Sequence, residues 1–311
     1  MPVAESTLRS VAQSLAVDVA TGEVVAALRE AGIRSVVLRG PALARQVYAA
    51  GELRPYVDVD LLVAPGEEEA ANAVLSRLGF ALVASDAELA GHRPVHAHEW
   101  LRDGVAVDLH RTLSGVGAAP AELWAAIAAE SEVEVVGGIE VKVPSPAAVA
   151  LQLGLHAAHH GPRRGKSLRD LDLALERLPV DTWAAAATLA GRLDAVPALA
   201  SGLRLTPAGA ELAERLGLPS RRPADVALRA VSPPPLALGL EWLLRTRGFR
   251  AKASLVGRTL APSPGALRSW RPLARKRPLG IAAAYLSHPF WLARHAVPSL
   301  IALRRARKEA P

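Results

Sequence analysis

Two carboxylates, Asp58 and Asp60, stand one residue apart in the apolar run LRPYVDVDLLV at 53–63. In a strand, residues i and i+2 point to the same side. The two acids therefore project together, and Val57, Val59 and Leu61 are expected to face a core. Like charges this close repel, and burying either one alone would cost several kcal/mol. A divalent cation answers both problems, and Mg²⁺ favours one or two carboxylates together with substrate phosphates. Two other readings stay open from the residues alone. The acids could be solvated at a strand end, or Arg39 or Arg54 could neutralise them as salt bridges. A third acid, Asp108, lies in the apolar segment VAVDLH. On a neighbouring strand it would complete a two-metal site for in-line phosphoryl chemistry. On a hairpin surface it would be an ordinary solvated acid.

The elements that must hold these acids can be read locally. GEVVAALREA at 22–31 has helical patterning, with Gly32 as its stop. IRSVVL at 33–38 reads as a short strand. Arg39-Gly40-Pro41 then turns into a helix over 41–50, with proline at a natural first helical position. The acid-bearing strand covers about 57–63, a helix with an acidic first turn follows from Glu67 to near Gly79, and 80–84 is a strand. Residues 98–110 form a hairpin around Asp103-Gly104, and SEVEVVGGIEVKV forms a second around Gly137-Gly138. From Ser145-Pro146 onward the pattern is helical over 146–160, 167–178, 182–191 and 207–216. An α/β domain (1–144) is thus followed by a helical domain (145–231), and Ser232-Pro233-Pro234-Pro235 opens a basic extension (232–311).

Other polar residues lie near these acids. Gly40 at a helix start lets a phosphate approach backbone N–H groups. Arg54 could meet a triphosphate or pair with Asp58 or Glu52. Tyr56 could stack on a base or pack at the strand edge. His110 shares a strand side with Asp108 and could hydrogen-bond a carboxylate or a phosphate. His156 and His160, at i and i+4, share a helix face with His159 beside them. Their spacing suits zinc, but no third ligand is apparent. A helix covering the cleft, with His160, Arg169 or Asp172 reaching the nucleotide or acceptor, is the fuller reading; a polar contact between domains is the plainer one. His92, His96 and His98 border the same region with no role fixed by spacing.

Taken in order, LRGPALARQVY, LRPYVDVDLLV, VAVDLHRTL, LHAAHHG and LRDLDLAL resemble the bacterial "uncharacterised nucleotidyltransferase" family of the polymerase-β-like superfamily. The resemblance covers roughly residues 30–180. It implies an α+β fold with a mixed sheet, flanking helices and a helical domain behind. It also implies transfer of an NMP from an NTP to a hydroxyl or phosphate of a small-molecule or biosynthetic acceptor, with release of pyrophosphate. Carried over by position, Asp58 and Asp60 would hold Mg²⁺ or Mn²⁺, Asp108 would be the third ligand or the base, and Gly40 would meet the phosphates. Family members often have Lys at the position of Arg39; Arg still supplies a cation, in planar fork form. A toxin-like enzyme acting on tRNA and a degenerate scaffold are the competing readings.

Composition narrows the setting. The 311 residues suffice for two domains, and the absence of Cys excludes a disulfide framework. No secretory leader pattern and no clean run of about 20 apolar residues is evident, so a cytoplasmic protein is expected, with peripheral membrane association possible through its tail. The net charge of +7 divides unevenly: residues 221–311 hold 18 Lys+Arg against 3 Asp+Glu, whereas the rest holds 19 against 27. The basic segment 235–311 ends in an apolar stretch interrupted by His288, Pro289, Arg294 and Pro298. That pattern suits an interfacial helix or docking arm contacting RNA or an anionic membrane, or a basic extension packed on the acidic body.

Overall fold

The computed structural model describes residues 2–49, 51–85, 97–163, 165–221, 223–230, 233–246, 248–275 and 278–309. His92 and His96 lie outside them. Helix α1 (Pro2–Glu30) leads into β1 (Ser35–Val37), α2 (Pro41–Val47), β2 (Asp58–Val63), α3 (Glu68–Arg77), β3 (Ala81–Ser85), β4 (Ala97–Arg102) and β5 (Val105–His110). The five strands make one mixed sheet in the order β1-β2-β5-β4-β3. β2 and β5 are parallel, and the remaining pairs are antiparallel. Then come α4 (Pro120–Ala129) and a separate hairpin of β6 (Glu132–Val136) and β7 (Ile139–Val143). Both hairpins turn where the sequence places them. Asp103 and Gly104 have φ of 51° and 80°, and Gly137 and Gly138 have 58° and 80°. Two successive positive φ values match the right-handed twist of the flanking strands.

At β1, β2 and β5 the sheet buries both faces, and the alternation along β2 decides what goes where. Val59, Leu61 and Val63 join Val107 and Leu109 against α1 and α3, among Val24, Leu28, Val74 and Leu75. Leu62, with Val36 and Leu38, faces the other way into the helical layer. Leu61 and Leu62 are both fully buried, each contributing about 2 kcal/mol of transfer free energy. Val57 departs from expectation: it precedes the strand and is 57% exposed. Asp58 and Asp60 share the Leu62 face, so they look toward the helical layer and not into open solvent.

That layer consists of α5 (Pro146–His160), α6 (Gly165–Arg177), α7 (Val180–Arg192), α8 (Val196–Leu203) and α9 (Pro207–Arg215). Helix α5 is its axis, buried along nearly its whole length. It meets α8 closely because both carry glycine at the crossing. A Cβ on Gly202 would fall 1.9 Å from the Gly154 carbonyl oxygen, so no larger residue fits there.

Helix α1 starts far earlier than 22 and replaces the short helix expected there. Thr7–Glu30 is long and apolar enough to cross a membrane by length and composition, a property its interleaved polar residues hide from a search for unbroken apolar runs. Here its Val17, Val24, Val25 and Leu28 lie on the sheet. Beyond α9 the chain continues as α10 (Ala224–Ala230), α11 (Ala237–Arg245), α12 (Phe249–Leu260), α13 (Pro264–Trp270) and α14 (Pro278–Glu309). α14 runs unbroken through Pro289 and Pro298. Ala224, Ala227 and Leu228 of α10 pack with Ala237, Leu303 and Ala306, and Arg307 Nε donates to Glu241 at 2.7 Å. The C-terminal cluster thus begins before residue 232, with α10.

Candidate functional site

Parallel pairing of β2 with β5 sets Asp60 directly beside Asp108, and His110 follows two residues on, on the same face. Ligand atoms of Asp60, Asp108 and His110 all lie within 4.8 Å of one another. His110 Nε2 donates to Asp60 Oδ1 at 2.9 Å, since an ionised carboxylate only accepts. The buried Nδ1 of His110 has no hydrogen-bond partner among the described residues.

Arg39 enters from the other side of β2. The Leu38 amide donates to the Asp60 carbonyl at 2.9 Å. This extends the β1/β2 ladder by one residue and brings Arg39 level with the Asp60 side chain. Gly40 then turns the chain at φ 62° into α2, a value that side chains with a Cβ rarely adopt. The Arg39 guanidinium forks: Nη2 donates to Asp60 Oδ1, and Nη1 to His156 Nδ1 on α5 at 2.6 Å. Burial, then the Arg39 charge and His160, push the His156 imidazole down to about 2, so it is neutral and accepts. His156 also stacks edge-on with His160 at 4.4 Å between ring centroids, and His160 with His159 at 4.9 Å.

The three acids end in different electrostatic states. Burial works against ionisation of Asp60, but Arg39 and His110 outweigh it and hold the carboxyl well below its ordinary range. Burial and the neighbouring Asp60 charge push Asp108 up to about 6. Asp58 is also raised, by burial and by Asp60, with Arg39, Lys166 and Arg54 opposing. One arginine therefore serves three acids, and it is bonded to only one of them. The tight ligand set comprises Asp60, Asp108 and His110, with Asp58 outside it. The cluster pairs the two acids with histidine because β2 and β5 are in register at 60 and 108 and the next residue on that face of β5 is His110; Asp58 lies on the same face of β2, level with Ala106.

Arg54 and Tyr56 stand near the acids but are bonded to other partners. Arg54 is locked in a buried pair with Asp170 of α6, its Nη2 donating to Oδ2 at 2.8 Å. Tyr48 donates to the same carboxylate at 2.5 Å; burial and that bond raise the phenol to about 12. Tyr56 packs its ring beside Gly40 and gives its hydroxyl to Asp18 of α1 at 2.7 Å. Arg169 and Asp172 are exposed on α6, flanking the inward Asp170. His98 bonds Asn72 on α3, away from the acids. Two contributors were missed. Asp170 needed the helix facing known from contacts, as did the choice of His156 within the histidine group as the partner of Arg39. Lys166 Nζ, which bonds the Pro55 carbonyl at 2.7 Å, approaches Asp58 only because α6 begins beside the loop before β2.

Two carboxylates and one imidazole, whose Nδ1 is left without a partner among the described residues, form an oxygen-rich donor set that suits a hard divalent cation. The raised Asp108 and Asp58 are the like-charge cost that such a cation would relieve.

The chain matches the family model described as "Uncharacterised nucleotidyltransferase" over residues 3–208. The solution structure of the antibiotic-resistance factor ANT(2'')-Ia is 15% identical with a TM-score of 0.38, over 56% of this chain and 90% of its own. The crystal structure of ANT(2'')-Ia with adenylyl-2''-tobramycin is 14% identical with a TM-score of 0.38, over 54% and 94%. An antigenic nucleotidyltransferase-like protein from Paracoccidioides brasiliensis is 16% identical with a TM-score of 0.35, over 60% and 91%. No curated protein sequence matches the chain. By the family match over about two thirds of its length, and with the acid-bearing mixed sheet that the motifs require, this chain belongs to the uncharacterised nucleotidyltransferase family.

Proposed function

We propose that the protein transfers a nucleoside monophosphate from an NTP to a hydroxyl or phosphate of a small-molecule acceptor and releases pyrophosphate. The convergence of Asp60, Asp108 and His110 beside Arg39 carries this reading. Asp60 and Asp108, with His110, would hold Mg²⁺ or Mn²⁺, and Asp58 would complete the acidic face toward the triphosphate. A bound divalent cation supplies charge neutralisation and orientation for in-line displacement.

The chain's own residues divide the remaining work. Arg39 and His110 keep Asp60 ionised at every working pH. His156, neutral, fixes the second arm of Arg39 and so the orientation of the guanidinium. Asp108, pushed up to about 6 in the metal-free site by burial and Asp60, would serve as the third ligand or, where it is not ligating, accept the proton of an acceptor hydroxyl as the oxygen attacks the α-phosphorus. Lys166, at the rim beside Asp58, would meet a phosphate of the triphosphate. Gly40 would let another approach the backbone at the start of α2. Positioning and electrostatic preorganisation supply most of the acceleration in such phosphoryl chemistry.

The test is equilibrium binding of each of the four NTPs with Mg²⁺ or Mn²⁺, followed by α-phosphate-labelled transfer to amino sugars, sugar phosphates and tRNA. Metal-dependent NTP binding and label on a small acceptor are expected. Absence of binding to every metal–NTP pair would overturn the reading. Label on tRNA alone would replace the acceptor class.

A further inference from the structure

Helix α14 has two apolar faces, and only one is covered. Ala284, His288, Ser299, Leu303 and Ala306 are buried and point to one side at about 100° per residue. Opposite them stand Leu279, Leu286, Phe290, Val297 and Ile301, at 80%, 77%, 79%, 62% and 47% exposure. Their spacings of 7, 4, 7 and 4 residues keep all five within about 60° around the helix axis, over about 33 Å of its length. α12 repeats the pattern with Phe249, Val256 and Leu260 exposed. It is tied to α14 by His288 Nε2 on the Thr259 carbonyl at 2.8 Å and by the Tyr285 hydroxyl on the Pro262 carbonyl at 2.7 Å.

Charge identifies the occupant. From Trp242 to Lys308 there are 15 Lys and Arg residues and no Asp or Glu. Arg250, Lys252 and Arg258 are exposed on α12, and Arg294, Arg304, Arg305 and Lys308 on α14. The last four follow or border the apolar stripe. Two copies of this face would bring like charge together. Nucleic acid would satisfy the cations but leave aliphatic Leu279, Leu286 and Val297 without a stacking partner. An anionic lipid surface satisfies both, taking apolar side chains into the acyl boundary and cations among the headgroups. α14 is long enough to span a membrane but not apolar enough, so it would lie in the plane of the interface. We infer that α12 and α14 form a peripheral docking surface for an anionic membrane.

The test is co-sedimentation of the full chain with phosphatidylcholine vesicles, with and without about 30% phosphatidylglycerol. The wild-type chain should sediment with the anionic vesicles and release in high salt. L286S/F290S, its helix content checked by circular dichroism, should bind about ten-fold less tightly. R294Q/R304Q/R305Q, whose changes leave the apolar stripe intact, should lose the preference for anionic lipid. Failure of the wild type to sediment, or equal binding by L286S/F290S, overturns the assignment. A tRNA complex or a dimer that forms while vesicles remain unbound overturns it too, in favour of nucleic acid or of a second copy.

Discussion

Two ion-pair regions line the contact between the sheet and the helical layer, and they are balanced differently. At one, Arg54 meets Asp170 with Tyr48 on the same carboxylate: one cation, one anion, both nearly excluded from water. At the other, Arg39 meets Asp60 while Asp58 and Asp108 stand by with raised carboxyls. The first closes its own charge and can be fully explained as architecture joining α6 to the loop before β2. The second leaves negative charge over. Folding tolerates that excess at a cost in stability, and a site that must attract a cation is where such a cost has a use.

Breaking the balanced pair should have the largest effect. Arg54→Ala leaves Asp170 buried without its cation and should cost about 3–5 kcal/mol in urea unfolding. A loss under about 1 kcal/mol would mean that Tyr48 alone satisfies Asp170, and the contrast between the two regions would weaken.

Asp60→Asn comes next. It removes the charge partner of Arg39 but leaves an oxygen to accept and keeps His156 on the other arm. The expected loss is about 2 kcal/mol, with nucleotidyl transfer reduced about 10³-fold. The depressed carboxyl of Asp60 also sets a sign. Its contribution is present above the ordinary carboxylate range and is lost as pH falls through its lower folded value. The destabilisation by Asp60→Asn should therefore persist at pH 5 and shrink only in strong acid.

Asp108→Asn should act with the opposite sign on stability. Its folded carboxyl at about 6 lies above the ordinary 3.8, so the native state holds that proton more tightly than the unfolded chain. Stability is then lost as pH rises between these values. The variant should match the wild type near pH 3 and exceed it by on the order of 2 kcal/mol at pH 7, while transfer falls about 10³-fold. Saturating Mg²⁺ with a bound NTP should raise the wild-type melting temperature and leave the Asp108→Asn melting temperature unmoved. Equal shifts in both would take Asp108 out of the cation site.

Much of this was legible in the residues. The Asp58/Asp60 alternation, the two glycine-marked hairpins and α5 over 146–160 follow from period and turn chemistry, which are local. What stayed hidden depended on partners distant in sequence. Arg54 had Asp58 and Glu52 as near candidates and found Asp170, 116 residues on, because only the docking of α6 brings them together. Asp172 looks equivalent to Asp170 in LRDLDLAL, but two positions turn it about 200° around the helix, so that Asp170 is buried and Asp172 exposed. His110 could be placed beside a carboxylate from spacing. That its ring lies within 4.8 Å of both Asp60 and Asp108 required the register of β2 on β5.

The smallest stability change separates the two acids that share a strand face. Asp58 and Asp60 are chemically alike and one residue apart, yet Asp60 is bonded to both Arg39 and His110, while Asp58 faces Arg39, Lys166 and Arg54 through space alone. Burial and Asp60 raise its carboxyl, so its charge is a mild burden on the fold. Asp58→Asn should therefore raise stability at pH 7 by less than about 1 kcal/mol, opposite in sign to Asp60→Asn. Its effect on function should be large if the excess charge serves the cation: NTP binding in Mg²⁺ should weaken about ten-fold or more, with little change in metal-free buffer. Unfolding of the two Asn variants side by side, with NTP titrations in Mg²⁺ and in chelator, reads both quantities. Should Asp58→Asn destabilise as Asp60→Asn does and leave NTP binding intact, both acids are salt-bridge partners, and the paired aspartates of β2 are architecture like Arg54 and Asp170.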